Sequence, residues 1–122
     1  TIKVINETTN SLNYRNIIFA KPVSYFEMLS LPANAKKILT DSGGLQKEAY
    51  FLNVPCVTLR DQTEWTETLD GNWNVLTKID KETIMHNIIN VNPVSSVLNN
   101  KYFGDGFSAA KMIDILKSRF LV

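Results

Sequence analysis

The sequence predicts an α/β domain built on a parallel sheet, and three observations carry that expectation. Short β-branched or aromatic runs alternate with stretches whose apolar residues recur at helical spacing. Capping residues and glycine or asparagine stops fall at the joints between them. The composition, 44% hydrophobic and 20% charged, suits a packed core and not a disordered chain. Strands alternating with helices in this way imply right-handed βαβ units. At 122 residues the chain is one domain or part of one.

The elements follow in order. Ile17-Ile18-Phe19-Ala20, closed by Pro22, reads as a buried strand. Ser24 with Glu27 forms a capping box for a short helix in which Phe26, Leu29 and Ala33 line one face and Pro32 ends or kinks the last turn. Lys37-Ile38-Leu39-Thr40 is the next strand, stopping at Asp41-Ser42-Gly43-Gly44. From Leu45 to Leu52, Leu45, Ala49 and Leu52 follow helical spacing, and Asn53 offers a left-handed stop. Residues 55–59 form another apolar strand. A short acidic helix over 64–69 is expected to break at Gly71, and 73–76 forms a further strand. Asp80 caps a helix holding Ile84, Ile88 and Ile89. From Ser108, the residues Ala109, Met112, Ile113, Leu116 and Phe120 mark a long amphipathic helix.

Composition excludes several functions. Thirteen Lys and Arg against twelve Asp and Glu give a net charge of +1, without the positive field that non-specific nucleic-acid binding uses. One cysteine, Cys56, allows neither an internal disulfide nor a cysteine metal cluster, which suits the reducing cytoplasm. No apolar run approaches the roughly 18 residues of a membrane span, and no leader opens the chain. The first residue is Thr1, and after Ile2, Val4 and Ile5 the stretch 6–16 is polar and without period. That suits a cut between two halves of a longer enzyme, so the chain is read as a fragment.

In a parallel α/β sheet, ligands lie beyond the carboxyl ends of the strands. Three loops leave strands there, over 21–25, 41–44 and 60–64. The middle one carries the most information. Thr-Asp-Ser-Gly-Gly running straight into a helix places free backbone N–H groups at the positive end of a helix dipole, an anion site suited to phosphate. Gly43 and Gly44 let the backbone approach closely, and Ser42 adds a hydroxyl donor. The plainer reading is a tight connection with Ser42 as N-cap, and the turn alone leaves both open. Glu48, amid residues that look buried, suits either a carboxylate for a ribose diol or a solvated neighbour of Lys47.

Longer motifs are more specific. The stretch from Thr40 through Ser42-Gly43-Gly44-Leu45-Gln46-Lys47-Glu48-Ala49, then Asn53-Val54-Pro55-Cys56-Val57, then Arg60-Asp61-Gln62-Thr63-Glu64-Trp65, resembles the UDP-N-acetylglucosamine 2-epimerase family. Pro22-Val23-Ser24-Tyr25 is similar to the family's Pro-x-x-Tyr segment. Residues 99–106, Asn-Asn-Lys-Tyr-Phe-Gly-Asp-Gly, resemble its Asn-Pro-Tyr-Gly-Asp-Gly turn before the last helix. The matches keep order and spacing from Pro22 to the C-terminus.

The resemblance implies the C-terminal, nucleotide-binding half of a GT-B enzyme, in which two Rossmann-like halves hold a nucleotide sugar between them. The implied reaction interconverts UDP-N-acetylglucosamine and UDP-N-acetylmannosamine. UDP is eliminated to leave an enzyme-bound glycal and then added back, without redox cofactor or metal. By the same resemblance, Ser42, Gly43 and Gly44 bind the diphosphate, Glu48 binds the ribose hydroxyls, and Met28 stands where a bulky residue meets the uracil. Met28 also suits an ordinary core position. Where many members carry Thr-Glu-Arg-Pro-Glu, this chain has Thr63-Glu64-Trp65-Thr66-Glu67, so a phosphate-binding arginine is missing. Arg60 either compensates or braces the loop through Asp61 or Glu64.

The family's acid and base carboxylates and its His-Arg-x-Glu-Asn motif have no counterpart here. His86 is read as a surface residue and Cys56 as a buried small hydrophobe, so no catalytic residue is assigned and this chain alone is expected to be inactive. The expected partner is a UDP-sugar, with no nucleic acid or membrane. The resemblance implies a homodimeric parent joined through the other half, which leaves room for a monomeric fragment. Three readings stay open: a non-hydrolysing epimerase feeding bacterial or archaeal polysaccharide synthesis, a hydrolysing relative or an epimerase of a related UDP-sugar, and a stand-alone nucleotide-binding module.

Overall fold

Helix α1 (Tyr25–Ala33) begins where the sequence places it. In the computed structural model, which describes residues 16–94 and 102–120, Ser24 is its N-cap. The Ser24 hydroxyl accepts from Glu27 N at 3.4 Å, and the Glu27 carboxylate accepts from Ser24 N at 2.8 Å. The Ser24 hydroxyl also donates to Glu27 Oε2 at 2.7 Å, and that bond, with the one from Ser24 N, stabilises the ionised form and holds the Glu27 carboxyl below its usual range. Pro32 is buried in the last turn and the helix stops one residue later.

Three short parallel strands follow with helices between them: β1 (Ile38–Thr40), α2 (Gly43–Phe51), β2 (Cys56–Thr58), a 3-10 segment (Thr66–Asn72) and β3 (Asn74–Leu76). The sheet order is β1-β2-β3, with Leu39 level with Val57 and Val57 level with Val75. After the sheet come α3 (Lys81–Asn90) and α4 (Ser108–Phe120). The core is the contact of α2 with β1 and β2: Ile38, Ala49, Val54 and Cys56, flanked by Ala35, Leu45 and Leu52. Burying these side chains supplies the apolar driving force and fixes how far α2 can move from the strand ends. Asn53 adopts the expected left-handed backbone at φ 58°, and Val54 N returns to Ala49 O at 2.9 Å.

Lys37 performs a task that sequence patterning does not show. Its ammonium donates to the carbonyls of Asn87 at 3.2 Å and Ile88 at 2.7 Å, and so caps the C-terminal end of α3. The other end of α3 is capped by Asp80, which accepts from Thr83 N at 2.8 Å.

The structure departs from three expectations. Residues 17–20 lie outside the sheet, and Ile18 is 92% exposed. An apolar run becomes a strand only when an edge pairs with it, and among the described residues the ladder ends at β1. Phe26 and Ala33 face solvent while Pro32 and half-buried Leu29 turn inward. The acidic helix expected over 64–69 is instead the 3-10 segment, which has no side-chain cap and is kinked by extended Asp70 and left-handed Gly71. The amphipathic α4 forms as predicted, with Met112, Ile113, Leu116 and Phe120 exposed among the described residues.

The Asp80 cap makes stability depend on acidity. Its hydrogen bond from the Thr83 amide holds the carboxyl below 3.8, so its contribution is complete above that value and is lost as pH falls through the lower folded value. The difference between the thermal midpoints of wild type and Asp80→Ala should therefore be full at pH 6 and shrink as pH falls below about 4.

Candidate functional site

The turn between β1 and α2 is built from its own backbone. Ser42 N donates to Thr40 Oγ1 at 3.0 Å, which pins the extended backbone of the N-cap. Ser42 Oγ accepts from Leu45 N at 3.5 Å, and Ser42 O accepts from Gln46 N at 3.2 Å. Gly43 and Gly44 are the first two residues of the nine-residue helix. Their N–H groups have no helical carbonyl before them and lie at the positive end of the dipole.

The two glycines differ in what stands beside them. Neither has a left-handed backbone. A Cβ on Gly43 would press on the Glu64 carboxylate, the end of an exposed side chain that would have to shift. A Cβ on Gly44 would meet nothing nearer than Ser42 Oγ at 3.9 Å. Nothing within the described residues needs position 44 bare. Glu48 is half-buried one turn further along, on the same helix face as Gly44, and helical side chains lean toward the N-terminus.

The loop after β2 closes over this turn. Arg60 Nη1 lies 3.3 Å from Glu64 Oε2, so the bracing pair weighed from sequence forms with Glu64. Arg60 also borders two open clefts at the carboxyl edge of the sheet. One, of about 360 Å³, is lined by residues 59–62 and 77–79. The other, of about 300 Å³, is lined by Arg60, Gln62, Thr63 and Glu64. Trp65 packs beneath Lys47, whose ammonium stands 4.1 Å above its ring centroid, a cation–π contact. Met28 lies on α1, which packs against α2, and is 40% exposed, so it is a surface methionine rather than a core one.

A buried polar knot holds the loop in place. Gln46, fully buried on the first turns of α2, accepts from Thr63 Oγ1 at 2.6 Å and from Asn74 Nδ2 at 3.2 Å through the same oxygen. Asn74 also donates to Thr68 Oγ1 at 3.0 Å and accepts from Thr58 Oγ1 at 2.6 Å. Thr63 Oγ1 receives Trp65 N at 3.1 Å, and Thr68 Oγ1 donates to Trp65 O at 2.7 Å. Helix, loop, 3-10 segment and two strands thus share one network. These residues escaped sequence reading. The available signal was a glutamine spaced three and four residues from Ala49 and Tyr50, on the face that proves buried.

The remaining candidates stand apart. Burial pushes the Cys56 thiol up, which disfavours a nucleophilic thiolate. His86 is exposed and bonded to Asn90 at 3.2 Å. Phe103, in the turn before α4, packs on Tyr50 and Phe51 with centroids 5.6 and 5.0 Å away. Gly104 and Gly106 in that turn have φ of +78° and +83°, which only glycine adopts readily. The start of the motif, residues 99–101, and the expected apolar and polar stretch over 1–15 lie outside the described residues. No three His, Cys, Asp or Glu side chains gather as a metal would need among the described residues. No helix there is long and apolar enough to cross a membrane.

Residues 1–117 match the family profile described as UDP-N-acetylglucosamine 2-epimerase. The chain belongs to that family. A Methanococcus maripaludis protein named as a homolog of this epimerase is 54% identical over 106 residues, covering 87% of this chain and 29% of its own length. The solved structure of UDP-GlcNAc 2-epimerase from Methanocaldococcus jannaschii superposes with a TM-score of 0.77 at 39% identity, covering 96% of this chain and 32% of that one. A structure of that enzyme in complex with UDP-GlcNAc and UDP superposes with a TM-score of 0.71 at 36% identity, again covering 96% and 32%. The fold is thus part of a GT-B epimerase, and the chain spans about a third of the length of these relatives.

The polar knot predicts a specific cost. Gln46→Leu keeps the volume but leaves Thr63 Oγ1 and Asn74 Nδ2 without their shared acceptor, and should destabilise the chain by about 2–3 kcal/mol in urea unfolding.

Proposed function

We propose that this chain is the C-terminal, UDP-binding part of a UDP-N-acetylglucosamine 2-epimerase, which interconverts UDP-N-acetylglucosamine and UDP-N-acetylmannosamine by eliminating and re-adding UDP. The observation that carries the reading is the head of α2. Two adjacent amides without helical partners are presented by the turn, and position 44 is left bare where nothing among the described residues uses the space. Membership of the epimerase family and likeness to an enzyme solved with UDP-GlcNAc and UDP support the same ligand.

In this reading the diphosphate rests on the Gly43 and Gly44 amides, with the Ser42 hydroxyl as a further donor. Glu48 receives the ribose hydroxyls, and Met28 offers a soft apolar surface to the uracil. Arg60 supplies the cation that Trp65 cannot. The chemistry asked of this part is electrostatic. As the bond to the sugar breaks, negative charge grows on the departing UDP, and pre-aligned amides stabilise it without reorganising. The same contacts keep UDP in place for its return. The groups that move the C2 proton belong to the rest of the protein, so no catalytic residue is assigned here. The parent acts in the cytoplasm, as a homodimer joined through its other part.

Incubating the full-length protein with UDP-N-acetylglucosamine tests the reaction. A UDP-linked epimer is expected, whereas free N-acetylmannosamine would assign the hydrolysing reaction instead. Gly44→Ala tests the site. Alanine is the better helix former and finds space, so stability should hold or rise by up to about 1 kcal/mol. UDP affinity should nevertheless fall at least about tenfold, because the new methyl stands where a phosphate oxygen must approach. Equal affinity for UDP in calorimetry would remove the turn from the site.

A further inference from the structure

We propose that Glu64 is the group a diphosphate displaces from the head of α2, and that the exchange hands Arg60 from Glu64 to the phosphates. The inference rests on the nucleotide reading above and concerns how the same site is held while empty. Glu64 Oε1 is the atom that a Cβ on Gly43 would press against, at the head of α2, whose first amides have no helical acceptor and attract an anion. Its other oxygen, Oε2, holds Arg60 Nη1 at 3.3 Å. The indole N–H of Trp65 lies 3.4 Å from the same Cβ position, shielded from solvent and without an acceptor among the described residues. A carboxylate and a spare donor therefore flank one glycine, and the carboxylate's other oxygen holds a guanidinium.

That arrangement places the protein's own carboxylate at the head of α2, on the side from which an anion would approach. A diphosphate carries more charge and more acceptor oxygens than a carboxylate, so it satisfies the same donors better. The two cannot share the place, because like charges at contact repel. Leaving is easy for Glu64. Its side chain is 52% exposed and its partner Arg60 39% exposed, and surface pairs of this kind hold weakly. Arg60 needs only a side-chain rotation to follow the incoming charge, since it already borders the neighbouring cleft.

The test is calorimetric titration of the full-length protein with UDP, at low and moderate salt, for wild type, Glu64→Gln, Glu64→Ala and Arg60→Gln. Glycine-selective NMR reads whether the Gly43 and Gly44 amides shift. Both Glu64 variants should bind UDP roughly three- to tenfold tighter at low salt, and the gain should shrink as salt rises. Arg60→Gln should bind it weaker by a similar factor. Glu64→Ala keeps the result free of any new donor from the glutamine amide. If UDP shifts the glycine amides in wild type while both Glu64 variants bind equally or more weakly, Glu64 braces Arg60 in its binding position and the exchange is wrong. If wild type and variants alike leave those amides unmoved, the nucleotide reading falls and takes this inference with it.

Discussion

One carbonyl oxygen, on the buried amide of Gln46, ties the carboxyl edge of the sheet together. It accepts from Thr63 on the loop and from Asn74 at the start of β3, and Asn74 reaches on to Thr58 in β2 and Thr68 in the 3-10 segment. Polar groups this deep are costly unless satisfied, so each bond is enforced by the loss its absence would cause. The loop over 60–65 thus has a defined height above the glycine turn although the strands beneath it are only three residues long. Apolar packing of Ala49, Val54 and Cys56 sets the distance of α2 from the sheet. The polar knot sets what stands above its first turn.

The electrostatics of the site follow from that placement. The dipole of α2 and the bare amides of Gly43 and Gly44 favour negative charge, and the chain answers with Glu64. Arg60 is drawn to the same spot by Glu64, and Lys47 sits over Trp65 one helical turn away. Positive charge is therefore gathered around an anion position by three separate devices: backbone, ion pair and aromatic face.

Much of this was legible in the residues. The capping box of Ser24 and Glu27, the left-handed Asn53 and the Asp80 cap are local signals, and each forms as its side chains dictate. Period and turn chemistry placed β1, β2, β3 and the helix between β1 and β2 to within a residue or two. Patterning failed where a decision depended on a distant partner. Residues 17–20 look like a strand but find no place in the ladder, and Phe26 carries the composition of a core residue on an exposed face. The acidic run after Trp65 lacked a cap strong enough to nucleate an α-helix and settled into a tighter, kinked coil.

Sequence alone determined the order of strands and helices, the turn that ends β1 with two glycines, and the family, because these are written in neighbouring residues whose conformational preferences act over one or two turns of chain. Only the tertiary structure decided that Gln46 is buried, that Glu64 rather than Asp61 takes Arg60, and that Gly43 lies against Glu64 while Gly44 meets nothing nearer than Ser42 among the described residues. The burial of Gln46 depends on side chains that meet across 17 to 28 positions of sequence, as Thr63 and Asn74 do at Gln46, and no local preference encodes such a meeting.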